Sequence, residues 1–113
     1  MASVMKVVDV QLTLLKSYPP QLHISAIGLV NSGGWTNPRL EPRIYLQFPP
    51  DGIQDFDFVA DPPQRPAIQP ILPIAASELW ENPPLDKLKG VRIHSANNSI
   101  EAYLESAKSL AVA

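Results

Sequence analysis

Apolar and polar residues alternate with a period of two along several short stretches of this chain. Residues 8–14 carry valine or leucine at every even position and polar residues between them. Residues 22–26 repeat the pattern, which weakens after Gly28 and there indicates a β-bulge. Alternation of this kind is typical of a strand with one face buried and one face in water.

Prolines separate the alternating stretches from one another. The chain has 13 prolines among 113 residues. A proline has no N–H, so it is excluded from helix interiors and from central strands. Four proline doublets stand between the apolar stretches: Pro19-Pro20, Pro49-Pro50, Pro62-Pro63 and Pro83-Pro84. We therefore predict an all-β fold, a single antiparallel β-sandwich of about seven strands with immunoglobulin-like architecture.

The third predicted strand covers residues 40–48. Its apolar side chains would share one face, with Pro42 marking it as an edge strand. The side chains assigned to that face are Leu40, Ile44, Leu46 and Phe48. A fourth stretch places Phe56 and Phe58 on one face and aspartates on the other.

The second half of the chain gives less regular patterns. Residues 67–76 predict a broken or peripheral strand, and Ser77–Glu81 predicts one helical turn capped by Ser77. Residues from Ser99 onward fit two structures, either a hairpin strand through Leu104 or a helix over residues 99–111. We favour the hairpin, with residues 106–113 forming a tail.

Length and composition fit one domain, residues 1–113, with a continuous core. The net charge is −2 and the basic residues form no stripe, which argues against nucleic-acid binding. No segment is long and apolar enough to cross a bilayer, so we expect no membrane partner. No signal-peptide pattern is visible, which favours a cytoplasmic location. The chain has no cysteine, and its composition suggests no cofactor.

Three aspartates are the strongest candidates for chemistry. Asp51, Asp55 and Asp57 offer oxygen ligands for calcium or an acid–base pair, but their spacing is not that of an EF-hand. The period-two pattern instead places Asp55 and Asp57 on a solvated strand face. His23 and His94 fall on outward positions without a ligand-like spacing. We therefore expect no enzyme activity.

A glycine-flanked tryptophan is the best candidate for binding. Trp35 is followed by Asn37 and Arg39, and tryptophan and arginine are favoured interface anchors. The same Trp35 side chain could instead fold back and cap the core. The sequence thus predicts a non-catalytic binding or protein-interaction module, with a calcium-dependent protein or enzyme as the alternative. The partner would be a protein, and self-association through an edge strand is a further possibility.

Three segments together resemble small bacterial all-β proteins of unknown function. They are Gly33–Leu40, Asp51–Ala60 and the doublet Pro62-Pro63. The resemblance implies an all-β fold over most of the chain. It implies no activity, cofactor or site.

Overall fold

The part of the chain that the structure describes forms nine strands. A computed structural model describes residues 1–64 and 70–111, and for Leu110 and Ala111 the backbone alone. The described residues contain no α-helix and one short 3-10 helix at Leu104–Ser106. The strands are β1 (Ala2–Ser3), β2 (Lys6–Lys16), β3 (Gln21–Val30), β4 (Thr36–Pro42), β5 (Ile53–Asp61), β6 (Leu72–Glu81), β7 (Gly90–His94), β8 (Ser99–Tyr103) and β9 (Lys108–Ala111).

The strands form two sheets packed on one another. In the five-stranded sheet β5 pairs with β4, β7 and β1, and β7 pairs with β8. β4 pairs with β5 residues that also pair with β1 or with β7. β4 therefore lies along one edge of β5, and β1 and β7 lie along the other edge. The four-stranded sheet has the order β6-β3-β2-β9. The all-β class and the packing of two sheets therefore agree with the sequence analysis.

Both sheets are mixed, whereas the sequence predicted antiparallel sheets. β5 pairs in parallel with β7, and β2 pairs in parallel with β9. The chain leaves β5, forms β6 in the opposite sheet and returns to β7, and such a crossover allows a parallel neighbour. The described residues form nine strands rather than about seven, because two short strands, β1 and β9, were not predicted.

Buried apolar side chains from both sheets meet between them. Phe56 and Phe58 point into this core from β5, while Asp55 and Asp57 occupy the other face, which confirms the predicted alternation. Burial of one such aromatic side chain contributes about 1.5–3 kcal/mol. The largest fully buried side chains are Phe56, Phe58, Leu22, Ile24, Leu40, Ile93, Val4, Val7 and Val91.

A β-bulge near the start of β2 turns Val8 away from the core, although its even position in the alternating stretch predicted that it would be buried. The register shifts between Val7 and Asp9, so the extra residue Val8 turns outward and is 42% exposed. Val7 takes the inward position and pairs with Gly28. A Cβ atom on Gly28 would lie 2.8 Å from the carbonyl oxygen of Lys6. The bulge predicted after Gly28 is therefore wrong: β3 alternates regularly through Val30, the bulge lies in β2, and the pattern weakens only because the outward residues Ile27 and Leu29 are apolar.

The strand predicted over residues 40–48 begins and ends earlier in the structure. β4 ends at Pro42, and the backbone N–H of Arg43 makes a further bond to the carbonyl of Asp55 at 2.9 Å. Leu40 is buried and Phe48 packs against the core, as predicted. Ile44 and Leu46 were assigned to the same inward face, and that assignment is wrong: both are fully exposed.

The helical turn predicted at Ser77–Glu81 is also wrong. These residues continue β6, which pairs with β3 along its whole length. Pairing and the packing of Ala76 and Trp80 against the core outweigh the local capping signal of Ser77. Residues 65–69, including Arg65 and the start of the strand predicted at Ala67, lie outside the described residues.

The end of the chain confirms one prediction and overturns another. β8 pairs antiparallel with β7, as the hairpin interpretation requires. Residues 108–111 were predicted to be part of a tail, but they form β9 beside Thr13–Lys16 of β2. The pairing satisfies backbone groups on an edge of β2 that would otherwise be open.

Candidate functional site

The outer face of the five-stranded sheet carries a cluster of polar side chains around Asp55. Oδ1 of Asp55 lies 2.6 Å from Nε2 of His94 and accepts a bond from Nη1 of Arg92 at 3.1 Å. Oδ2 accepts a bond from the Tyr45 hydroxyl at 2.5 Å. Three side chains from two parts of the chain therefore converge on one carboxylate.

Strand register explains why these residues meet. The parallel pairing of β5 and β7 sets Asp55 opposite Arg92, and the antiparallel pairing of β7 and β8 sets Arg92 opposite Glu101. Residues directly opposite on one face lie close enough for their side chains to interact. Nη2 of Arg92 reaches Oε1 of Glu101 at 3.2 Å, and Tyr103 donates to the same carboxylate. The result is a row of alternating charges across three strands.

Tyr45 connects this row to residues 43–50, which we call the Tyr45 segment. The Tyr45 hydroxyl donates to the Asp55 side chain and accepts a bond from the Asp55 backbone N–H at 3.0 Å. Arg43 donates from Nε and Nη2 to both oxygens of Asp57. The buried Gln54 amide donates to the carbonyls of Arg43 and Asp55, each at 2.9 Å. These bonds hold the start of the Tyr45 segment against β5.

Hydrogen bonding keeps Asp55 ionised. Burial acts to raise the pKa of Asp55, but bonds to Tyr45, His94 and Arg92 outweigh that effect, and the pKa lies below its ordinary value of 3.8. Burial and the bond to Asp55 raise the pKa of Tyr45 above its ordinary value of 10.0. At neutral pH the site therefore holds a carboxylate and a neutral phenol.

The predicted aspartate cluster is occupied by an internal cation. Nη2 of Arg92 lies 3.7 Å from Asp51, and Nη1 lies 3.1 Å from Asp55. Asp57 is paired with Arg43 at 2.9 Å. In residues 1–64 and 70–111 no group of three or more His, Cys, Asp or Glu side chains is arranged to hold a metal ion. The geometry therefore favours ion pairing over calcium binding at these residues.

Within residues 1–64 and 70–111, no hydroxyl group is hydrogen-bonded to the second ring nitrogen of His94. A hydrolytic triad needs a hydroxyl or thiol hydrogen-bonded to the histidine nitrogen that does not face the carboxylate. Among the described side chains, His94 is hydrogen-bonded to Asp55 alone. The bonds of the cluster connect β5 with β7 and with the Tyr45 segment.

The predicted binding loop lies at another edge of the same sheet. Trp35 is half-buried, packs against the core and donates from Nε1 to the buried Ser32 hydroxyl at 3.2 Å. Asn37 is exposed, has a φ of 54° and lies within hydrogen-bonding distance of Asp61. Arg39 pairs with Glu41 at 2.8 Å and with Asp61 at 3.4 Å. Asn37 and Arg39 thus meet at Asp61, whereas Trp35 turns to the core and covers part of it.

Asp55 and His94 were both noted in the sequence, but their contact and the partners Arg92 and Tyr45 were not predicted. Arg92 and His94 share the outward phase of their strand, as do Asp55 and Asp57, but only the β5–β7 pairing brings the two sets together. Tyr45 lies on the segment after β4, outside the ladder, so no strand register predicts its contact with Asp55.

The chain was compared with family models, curated proteins and solved structures. No family model, no curated protein and no solved structure matches it. No helix among the described residues is long and apolar enough to span a membrane.

The ion pairs of Asp55 predict how stability depends on pH. Replacing Asp55 with asparagine removes a charge that accepts three side-chain bonds, and we expect a loss of about 2 kcal/mol at pH 7. Because the folded pKa of Asp55 lies below its unfolded value, its charge stabilises the fold above that unfolded value. The contribution is lost as the pH falls through the folded pKa.

Urea unfolding of both proteins over a range of about pH 7 to pH 2 measures this dependence. The wild type should lose stability more steeply below about pH 4 than Asp55→Asn does. Asp86→Asn is the matched control, because Asp86 is exposed and forms no ion pair within the described parts of the chain. Equal slopes for wild type and Asp55→Asn would contradict the role given to this carboxylate.

The half-buried position of Trp35 predicts that it contributes to stability. Trp35→Ala removes contacts with the core and the bond to Ser32, and we expect a loss of about 2 kcal/mol. Thermal unfolding measures the change, with Tyr18→Ala as the control at a fully exposed aromatic residue. A melting temperature equal to that of the wild type would show instead that the indole is free to act as a surface anchor.

Proposed function

We propose that the protein is a non-catalytic protein-interaction module that binds its partner through Ile44 and Leu46. These side chains are 96% and 106% exposed and stand two positions apart on the Tyr45 segment. This exposure is the observation that carries the proposal. Large aliphatic side chains gain free energy when a partner removes them from water, about 1.5–3 kcal/mol for each one.

The anchoring of the Tyr45 segment supports the proposal. Tyr45 lies between the two aliphatic residues and is bonded twice to Asp55, so the backbone that carries them is attached to the sheet. A ligand-binding segment that is already ordered loses less conformational entropy on binding. Two exposed aliphatic side chains on an ordered segment suit recognition of an apolar pocket in a partner.

Other expectations have less support. A calcium-dependent protein or enzyme would have to displace Arg92 and Arg43 from the aspartates. The Trp35 loop offers Asn37 as an exposed polar contact, but Trp35 itself packs on the core. An immunoglobulin-like architecture remains a proposal for the frame, because β5 and β7 are parallel here. A cytoplasmic location and the likeness to bacterial proteins also remain proposals.

Replacing both aliphatic residues tests the proposed surface. Ile44→Ser with Leu46→Ser should leave the melting temperature unchanged, because neither side chain is buried. The wild type should retain specific proteins from an extract of the source cell. The amount of these proteins retained by the double variant should be lower by at least about tenfold, which corresponds to 1.4 kcal/mol of binding free energy. Quantitative mass spectrometry of the retained proteins measures this loss.

Tyr18→Ser serves as the control at an equally exposed residue outside the Tyr45 segment. It should retain the same proteins as the wild type. Two results would reject Ile44 and Leu46 as the recognition surface. One is equal retention by the wild type, the double variant and Tyr18→Ser, and the other is that even the wild type retains no specific protein.

A further inference from the structure

A groove of about 400 Å³ opens between the ends of β4 and β6, at the edges of the two sheets. Its floor includes Phe56 and Trp80, whose rings lie 6.0 Å apart in an edge-to-face arrangement at 76°. Pro42 and Leu79 add apolar walls. Aromatic and apolar surfaces of this kind are typical of sites that receive a side chain from a partner.

The strand beside this groove has one unpaired edge. β6 pairs with β3 over Leu72–Glu81, and it is the last strand of its sheet in the described part of the chain. An open edge offers backbone N–H and C=O groups to an added strand. The last seven residues of β6 contain no proline, so every second residue among them turns both an N–H and a C=O away from β3 toward the open edge.

Glu78 and Glu81 both line the groove, Glu78 on the face of β6 that carries Trp80 and Glu81 on the opposite face at the end of the strand. No basic group of residues 1–64 and 70–111 lies within 4.0 Å of either carboxylate. The neighbouring charged cluster differs, because there each aspartate has an arginine partner. The groove therefore favours a ligand that carries positive charge.

We propose that the open edge of β6 binds an extended segment of a partner protein in which two lysine or arginine residues enclose two apolar residues. The binding mode is addition of a strand to the sheet. This site is separate from Ile44 and Leu46 and does not depend on the function proposed for them.

The register of an added strand gives this spacing. Residues opposite one another in a ladder face the same side, and Glu78 and Glu81 stand three positions apart. A basic residue opposite each glutamate leaves two residues between them, opposite Leu79 and Trp80. The residue opposite Trp80 then points toward the groove floor, so it should be apolar.

The same register disfavours a second copy of this chain as the occupant. Antiparallel pairing of two β6 strands over residues 78–81 would place Glu81 of each copy opposite Glu78 of the other. Like charges directly opposite one another destabilise a ladder. A basic partner converts both contacts into attraction.

Synthetic peptides test the proposal. The probe is an acetylated and amidated hexapeptide with the order threonine, lysine, valine, valine, lysine, threonine. Titration into ¹⁵N-labelled protein should shift the amide signals of residues 74–81 and the Trp80 indole N–H. Two control peptides carry glutamate in place of both lysines, or proline in place of the first valine, and both should bind at least about tenfold more weakly.

Variants assign the charge dependence. Glu78→Gln with Glu81→Gln should weaken binding of the lysine peptide by about five- to tenfold. Glu105→Gln, at an exposed glutamate outside the groove, should leave it unchanged. Ile44→Ser with Leu46→Ser should also bind the peptide like the wild type, which separates this test from that of the proposed function.

Three results would overturn the proposal. The first is the absence of shifts in β6 at millimolar concentrations of the lysine peptide. The second is equal binding of the glutamate or proline peptide. The third is a doubled mass of the free protein in analytical ultracentrifugation that Glu81→Arg abolishes, because the edge would then be filled by a second copy.

Discussion

The arrangement of the outer sheet face depends on the carboxylate of Asp55. It contacts Arg92 and His94 on the neighbouring parallel strand and Tyr45 on the segment that follows β4. Side-chain bonds here act in addition to the backbone ladder, and those made to a charged group are about twice as strong as neutral ones. Asp55 thus connects the parallel strands β5 and β7 to the segment that carries the exposed aliphatic residues. The parallel pairing itself is made possible by the crossover through β6.

Both proposed recognition surfaces follow from the way β4 and β6 end. β4 stops at Pro42, so residues 43–50 leave the ladder and expose Ile44 and Leu46. The two sheet edges then part far enough to leave the groove over Phe56 and Trp80. A proline in an edge strand therefore limits the sheet and contributes to both of the surfaces that we propose for recognition. The charged cluster on the outer face supports the first surface but contacts neither glutamate of the second.

The sequence was sufficient to predict the class of fold, because strict alternation at Leu22–Ala26 and at Phe56–Phe58 survives as burial in the structure. It failed where pairing overrode local pattern. Ser77 looks like a helix cap until β3 is known to lie beside it, and the parallel position of β9 depends on an edge far away in sequence. The Asp55 cluster was out of reach for the same reason, since its members come from positions 45, 55, 92 and 94. Alternation also cannot reveal the two hydrogen bonds between the Tyr45 hydroxyl and Asp55. These bonds hold Tyr45 against the sheet, and its neighbours Ile44 and Leu46, which were predicted to be buried, lie in water.

The most direct test of this account is the order of the Tyr45 segment in solution. Backbone ¹⁵N relaxation of residues 43–48 should give order parameters near those of β5, about 0.85, in the wild-type protein. Tyr45→Phe removes the hydroxyl that bonds twice to Asp55, and it should lower the values at Ile44 and Leu46 to below about 0.6 while β5 stays rigid. Values already low in the wild type, or unchanged in Tyr45→Phe, would show that Asp55 does not hold the segment and would contradict the account.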